Sequence, residues 1–285
     1  GARFILRLTP TDHRSQEAIQ AEVDYVLLLS STSADLHLCK PIPLANGQYI
    51  ATGIMPYQDK HEYFAVLFEF AKGVDIMSIN GLMNDTIIAA YGRTLALMHQ
   101  GISKKANNAE KWDGLGKQIP LCSETHNGAT DIEKTVRIRA NAGHNASKLL
   151  LRIWEQKVAP FLESLGAPTA AVYGPVHGDL NVSNFFAQLS EDNSKADIYV
   201  FDFDQVQMNW FGFDIGVILK MVLFFEENKW IPNFEAKHFS KVFIAEYEKY
   251  APEELIKAGH TSQEKLDGFI AYREFYHTGV AVDIL

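Results

Sequence analysis

The chain has 285 residues, with 26 Lys and Arg against 35 Asp and Glu, for a net charge of -9. Apolar residues make up 47% and charged residues 21%, which excludes a disordered, collagen-like or low-complexity chain and allows a sizeable core. The acidic balance argues against a nucleic-acid partner held by a diffuse basic surface, and no apolar run reaches the roughly 20 residues of a membrane helix. The two cysteines, Cys39 and Cys122, make neither a disulfide framework nor a zinc site, so a cytoplasmic protein of one large domain or two lobes is expected.

In chain order, residues 3–8 read as a strand and Thr9-Pro10-Thr11-Asp12 as a turn. A domain rarely opens mid-strand without a partner, so further residues are expected before Gly1. Ile19, Val23, Val26 and Leu27 recur at helical spacing and predict a helix from about Ser15 to Leu29. Pro41-Ile42-Pro43 reads as a loop and Asn46-Gly47 as a hairpin turn. The aromatic run from Tyr63 to Phe70 predicts a buried strand ending at Lys72-Gly73, and the domain boundary is expected just after Gly73.

Beyond that point the pattern turns helical. Ile87, Tyr91, Leu95 and Met98 mark a helix from Thr86 to His99, and His99 is expected in the core or capping the helix end. Thr130-Asp131-Ile132-Glu133 and Thr261-Ser262-Gln263-Glu264 are capping boxes, each opening a helix. Residues 145–165 and 236–250 are also predicted helical, whereas Val172 to Val206 reads as two short strands flanking loops.

That last stretch carries the chemistry. It contains His177-Gly178-Asp179-Leu180-Asn181-Val182-Ser183-Asn184 and then Val200-Phe201-Asp202-Phe203-Asp204. Gly, Asn and Ser make residues 177–184 a loop, and Asp202 interrupts an apolar run at a strand end. An Asn carbonyl and an Asp carboxylate at two loop ends suit Mg2+, which takes oxygen donors and leaves positions for substrate phosphates. A third acid, kept off the metal, can accept a proton from an attacking hydroxyl.

The spacing is similar to that of protein kinases, H-R-D-x-x-x-x-N followed by D-F-G. It resembles still more closely the aminoglycoside phosphotransferase and choline kinase superfamily, through His177-Gly178-Asp179, Asn184, Asp202 and the downstream Asp214-Ile215. The resemblance spans essentially the whole chain and is strongest over residues 173–218. It implies an α+β, bilobal protein-kinase-like fold: a small N-terminal antiparallel-sheet lobe over residues 1–73 and a larger, mainly helical lobe over residues 74–285. It also implies a Mg2+-dependent phosphotransferase that moves the γ-phosphoryl of ATP or GTP to a hydroxyl of a small molecule.

Carried over by position, the resemblance makes Asp179 the catalytic base, Asn184 and Asp202 the metal ligands, and His177 a brace for the loop. Asp204 becomes a candidate for a second metal or for substrate. Arg7 stands where the family usually has a phosphate-contacting Lys, with Glu22 as its partner, and Glu69, Phe70 and Ala71 form a hinge whose backbone bonds the purine. The expected missing segment before Gly1 would then supply a phosphate-covering hairpin.

Plainer readings stand beside these. Arg7 and Glu22 can be an ordinary strand charge and a solvated helix face, and Asp214 fits a loop tie better than a catalytic group. Trp210, Phe211 and Phe213 suit packing, and both cysteines read as inert. Glu226, Glu227, Glu274 and Asp283 are compatible with a cationic acceptor, although a solvated helix surface explains them as well. The alternative functions are a non-catalytic nucleotide-binding protein on the same fold and a metal-dependent hydrolase using the same acids.

Overall fold

The computed structural model describes residues 2–54, 62–106 and 129–284, apart from the side chains of 106, 129–132 and 280–284. The fold is α+β, with a sheet-containing N-terminal region and a mainly helical C-terminal part. Among the described residues no helix is long and apolar enough to cross a membrane.

The N-terminal region is built on a three-stranded antiparallel sheet. Its strands are β1 (Phe4–Pro10), β3 (Ile50–Ile54) and β4 (Glu62–Glu69), with β4 in the middle. Helix α1 (Gln16–Ser30) starts where Ser15 accepts the Ala18 N–H at 3.2 Å through its side-chain oxygen, an N-cap that satisfies one open donor of the first turn. The helix serves two cores. Ile19 and Val23 pack with Ile50, Phe64 and Val66 of the sheet, whereas Tyr25, Val26 and Leu29 enter the large core of the C-terminal part.

A four-stranded sheet lies between the two regions. Its order is β2 (His37–Leu38), β8 (Ala196–Val200), β7 (Phe185–Leu189) and β5 (Val74–Asp75). Strand β2 precedes the expected boundary in sequence yet pairs in parallel with β8. The next residues cross between the sheets: the Cys39 N–H reaches the Val200 carbonyl at 2.9 Å, and the Lys40 carbonyl accepts the Glu69 N–H at 2.9 Å. Gly73, with φ +85, then turns the chain from β4 into β5; a Cβ there would lie 2.3 Å from the Ala187 oxygen, so only glycine fits.

The C-terminal part is organised by long helices. Helix α2 (Asp85–Ala106) is followed by α3 (Ala129–Asn141) and α4 (Asn145–Ile153), a π-helical turn over Trp154–Val158, and α5 (Ala159–Ser164). Strands β6 (Tyr173–Val176) and β9 (Gln207–Trp210) pair antiparallel and lead into α6 (Phe211–Glu227). Helices α7 (Ala236–Tyr250), α8 (Glu253–Lys257) and α9 (Gln263–Ile284) complete the fold, with α2 packed on α7 and α6 packed on α9. His99 is fully buried between Tyr247 and Asp214, so it is a core residue and not a helix cap.

Three local expectations are corrected. Residues 172–206 hold three strands, not two, because the short run Tyr173–Val176 finds its partner in β9 beyond that stretch. Asn46-Gly47 forms a turn closed by a 2.7 Å Leu44 N–H to Gln48 carbonyl bond, but β3 pairs with β4 and not across that turn. Pro41 and Pro43 have no N–H to donate to a ladder, which leaves their segment a poor hairpin arm. At α9 the cap is Ser262, whose side chain accepts the Lys265 N–H at 3.4 Å, while the Thr261 hydroxyl is drawn to Glu248 at 2.6 Å. Of the box at Thr130, the side chains of Thr130, Asp131 and Ile132 lie outside the described residues, as does Cys122, while Glu133 accepts from Arg137 at 2.6 Å.

Candidate active site

The loop over residues 177–184 is tied from beneath by a buried carboxylate. Asp214, in the first turn of α6, accepts the Gly178 N–H at 2.8 Å on Oδ1 and the His177 N–H at 3.0 Å on Oδ2. Oδ2 also faces His99 Nε2 at 3.3 Å, and His99 Nδ1 meets the Tyr247 hydroxyl at 2.8 Å. Asp214, His99 and His177 are all fully buried, so each polar group here needs the partner it has. Gly178 has φ +81, and a Cβ would lie 2.2 Å from the Gln205 oxygen, so this turn of the loop requires glycine.

His177 faces the Phe201 carbonyl at 3.2 Å through Nε2 and receives the Asp179 N–H at 3.4 Å on Nδ1. Those partners suit a neutral ring protonated on Nε2, which links the two acidic segments. A second link is the Phe201 N–H bonded to the Asn184 carbonyl at 3.0 Å, which brings Asn184 beside the Asp202 segment.

Both oxygens of Asp179 are held. Arg273, from α9, donates to Oδ1 at 2.8 Å and to the Gly178 carbonyl at 3.3 Å. Asn181 donates to Oδ2 at 2.9 Å. Asn184 donates to the Asp179 backbone carbonyl at 2.8 Å, which fixes its amide, and its side-chain oxygen accepts the Ser183 hydroxyl at 3.3 Å with one lone pair to spare. A carboxylate has about four acceptor positions, so room remains for an incoming hydroxyl. Arg273 has no signal in the local sequence; the fold alone brings it here.

Arg7 and Glu22 form a two-pronged ion pair at 2.6 and 2.7 Å, with Glu22 almost wholly buried. A second arginine joins them: Arg14 donates to Glu22 Oε2 at 2.8 Å. Arg14 was not among the sequence candidates, because its turn position between β1 and α1 carries no motif. Arg7 also lies 3.9 Å from Asp202. Asp202 adopts φ +64, an uncommon left-handed conformation that Asp tolerates better than most residues. Burial raises the pKa of its carboxyl, an effect that nearby Arg7 opposes. Asp204 is pushed up to about 6 by burial and then by Asp202 and Glu22.

Two cavities lie at these segments, one lined by residues of the loop 177–184 and one by the Asp202 segment. One, of about 470 Å³, is lined by Arg7, Glu22, Glu69, Phe70, Ala71 and Asp202, together with apolar groups such as Ile5, Phe68, Phe186 and Phe201. This volume and lining suit a small flat ligand with a charged end. The Glu69 N–H is taken by Lys40, so Phe70 and Ala71 carry the rest of this edge. The other cavity, of about 720 Å³, is lined by Asp179, Asn181 and Arg273 at one end and by residues of α6 and α9 elsewhere. Asp179 and Asn184 therefore sit apart from the first cavity and join it through the Phe201 contacts.

Among the described residues no cluster of three His, Cys, Asp or Glu side chains could hold a metal alone. Mg2+ is held by one or two protein oxygens completed by phosphate oxygens and water, and the Asp202 carboxylate and the Asn184 amide oxygen are the donors of these two segments that could take part. Cys39, in the wall of the first cavity, has a thiol pushed up to about 12 by burial and by Glu69, so it is inert as a nucleophile.

The model of the phosphotransferase enzyme family matches residues 1–252. Amicoumacin kinase of Bacillus subtilis (strain 168) is 24% identical over 252 residues, which is 86% of this chain and 64% of that protein, so the chain spans less than two thirds of that relative. Among solved structures, amicoumacin kinase hAmiN in complex with AMP-PNP, Ca2+ and Ami aligns with a TM-score of 0.68 at 21% identity, over 100% of this chain and 76% of that one. A microcompartment-associated aminopropanol kinase aligns with a TM-score of 0.51 at 17% identity, over 98% and 82%. An aminoglycoside-3'-phosphotransferase of type VIII aligns with a TM-score of 0.52 at 15% identity, over 96% and 86%.

Proposed function

The chain belongs to the phosphotransferase enzyme family, and from that premise we propose that it transfers the γ-phosphoryl group of ATP or GTP to a hydroxyl of a small-molecule acceptor. The observation that carries this reading is a pair of cavities, one lined by Asp179 of the loop 177–184 and the other by Asp202, Arg7 and Glu22, with the loop tied to the latter through the Asn184–Phe201 bond. The first cavity takes the nucleotide, its base between Phe68, Phe186 and Phe201 and against Phe70 and Ala71. The second takes the acceptor. The chain folds for this purpose as a nucleotide-covering lobe up to about Gly73 and a catalytic lobe after it, with β2 crossing to the second.

Asn184 and Asp202 would hold Mg2+, which supplies neutralisation of the phosphate charge. Arg7, fixed by Glu22, presents its remaining guanidinium protons toward the phosphates; Arg is permanently charged and binds phosphate oxygens as a fork. Asp179 accepts the hydroxyl proton as the oxygen attacks phosphorus, and Arg273 and Asn181 hold its carboxylate on line. Positioning and charge stabilisation do most of the work in phosphoryl transfer, which explains a loop tied at so many points.

Turnover is read as nucleoside diphosphate release over a panel of hydroxyl acceptors that includes amicoumacin, aminopropanol and aminoglycosides, the compounds named for the similar proteins. Asp179→Asn should bind nucleotide normally and lose on the order of 10²–10⁴-fold in kcat. Full turnover in that variant would refute the assignment of the base. Mg2+-dependent nucleotide binding with no transfer to any acceptor would instead favour a non-catalytic nucleotide binder.

A further inference from the structure

The second cavity has a charge balance and a wall that the phosphotransfer reading does not explain. Its charged lining residues are Asp179, Glu274, Lys220 and Arg273. They pair off: Arg273 with Asp179 at 2.8 Å, and Lys220 with Glu274 at 3.0 Å. His277, which also lines the cavity, has its pKa lowered by burial and by Arg273, which disfavours its cationic form. Glu226 is engaged elsewhere, accepting the Ala236 N–H at 3.0 Å, and neither it nor Glu227 lines the cavity. Among the described residues the two carboxylates and two cations of this lining therefore cancel, which leaves no net formal charge to attract a polycation.

Much of the remaining lining is apolar and partly aromatic. Val182, Val217, Met221, Phe224 and Phe225 line it. The Trp230 ring stacks on Phe225 at 5.4 Å and meets Phe224 edge-on at 5.2 Å. Phe224 is 39% exposed and Trp230 62% exposed, so two large rings stand in solvent at one edge of the cavity. Exposed adjoining aromatics beside a cavity mark a surface that a ligand covers.

We propose that the acceptor is an amphipathic hydroxyl compound with an apolar ring, its ring covering Phe224 and Trp230 while its hydroxyl reaches Asp179. This inference rests on the assignment of the second cavity to the acceptor. It makes Phe224 and Trp230 specificity-determining residues, remote from the reacting atoms.

The test compares 1-amino-2-propanol, its 3-phenyl-substituted counterpart and the polycation kanamycin, with nucleotide and Mg2+ present. Both KM and calorimetric binding in the presence of a non-hydrolysable nucleotide are measured. The phenyl compound should show a KM and a Kd at least tenfold lower than either of the others. In Phe224→Ala and Trp230→Ala that ratio should collapse toward one, whereas Trp230→Tyr should keep it; a merely structural defect would weaken all three compounds together. Equal binding of the ringed and ringless compounds, tighter binding of kanamycin, no binding of any of them, or a ratio unmoved by the alanine variants would overturn the proposal. Binding with the expected ratio but without turnover would support the pocket and count only against phosphotransfer.

Discussion

Arg273, on the last helix, donates to Oδ1 of Asp179 at 2.8 Å across 94 residues of sequence. The guanidinium lies over the rings of Phe213 and Tyr276, at 5.8 and 5.6 Å, and is mostly buried. These contacts limit its rotamers, so it can hold the carboxylate in one orientation. Removing it frees Asp179 to rotate, and a displacement near 1 Å costs about 10²-fold in rate. Arg273→Ala is therefore expected to lower kcat by roughly that factor. Nucleotide affinity, set in the other cavity, should be unchanged in a direct binding assay. Arg273→Lys should recover part of kcat, because it keeps the charge and loses the second prong.

Glu22 is the hub of a buried charge cluster, gripped by Arg7 and Arg14. Glu22→Ala leaves two arginines without their counter-charge and should destabilise the protein by about 3–5 kcal/mol, read as a shift of the urea midpoint. Arg14→Leu should cost much less, because Glu22 keeps its two bonds from Arg7. Equal losses in the two variants would show that Arg14 bears as much of the cluster as Glu22.

Asp214 should be sensitive to loss of a single acceptor atom. Both of its oxygens accept backbone N–H groups, at 2.8 and 3.0 Å. In Asp214→Asn one of these N–H groups must face an NH₂ instead, leaving a buried donor unpaired at a cost of about 1–3 kcal/mol. Faster amide exchange at His177 and Gly178, with turnover lost in step, is the expected signature. Unchanged protection at those two amides would contradict the role of Asp214 as the anchor of the loop.

His260 should govern part of the acid response. It is buried, its Nδ1 has no hydrogen-bond partner among the described residues, and its pKa is pushed down from the ordinary 6.5 to about 4 by burial and by Lys265. Between those two values the unfolded chain binds a proton that the folded chain refuses, so stability falls as pH drops through this window. The slope contributed is at most ~1.4 kcal/mol per pH unit. His260→Leu should flatten the decline between pH 6.5 and 4 in urea titrations, and a slope equal to that of the parent would exclude His260 as its source.

Elements whose signal is periodic and contiguous are legible along the chain. The apolar spacing of Ile19, Val23 and Val26 places α1, and the aromatic run ending near Phe70 places β4, each to within a residue or two at its ends. Strand β2 is not legible in this way. Two residues carry no period, and their partner Tyr199-Val200 lies far along the chain. The cap of α9 shows the same limit, since the box motif fits at Thr261, but Glu248 on α7 claims that hydroxyl and leaves the cap to Ser262.

The candidate site divides along the same line. The proposed base Asp179 and the proposed metal donors Asn184 and Asp202, with His177 and Gly178, lie on one loop and the segment after one strand, so their types and spacing are legible without the fold. Tertiary folding alone brings Arg14 to Glu22, Arg273 to Asp179 and Lys220 to Glu274, and it alone stands Trp230 beside Phe224. Arg273 and Glu274 reach partners remote in sequence through helix packing, whereas Arg14 and Trp230 reach near neighbours through turns that carry no motif; the energies of all four depend on distance and burial, which the order of residues does not express.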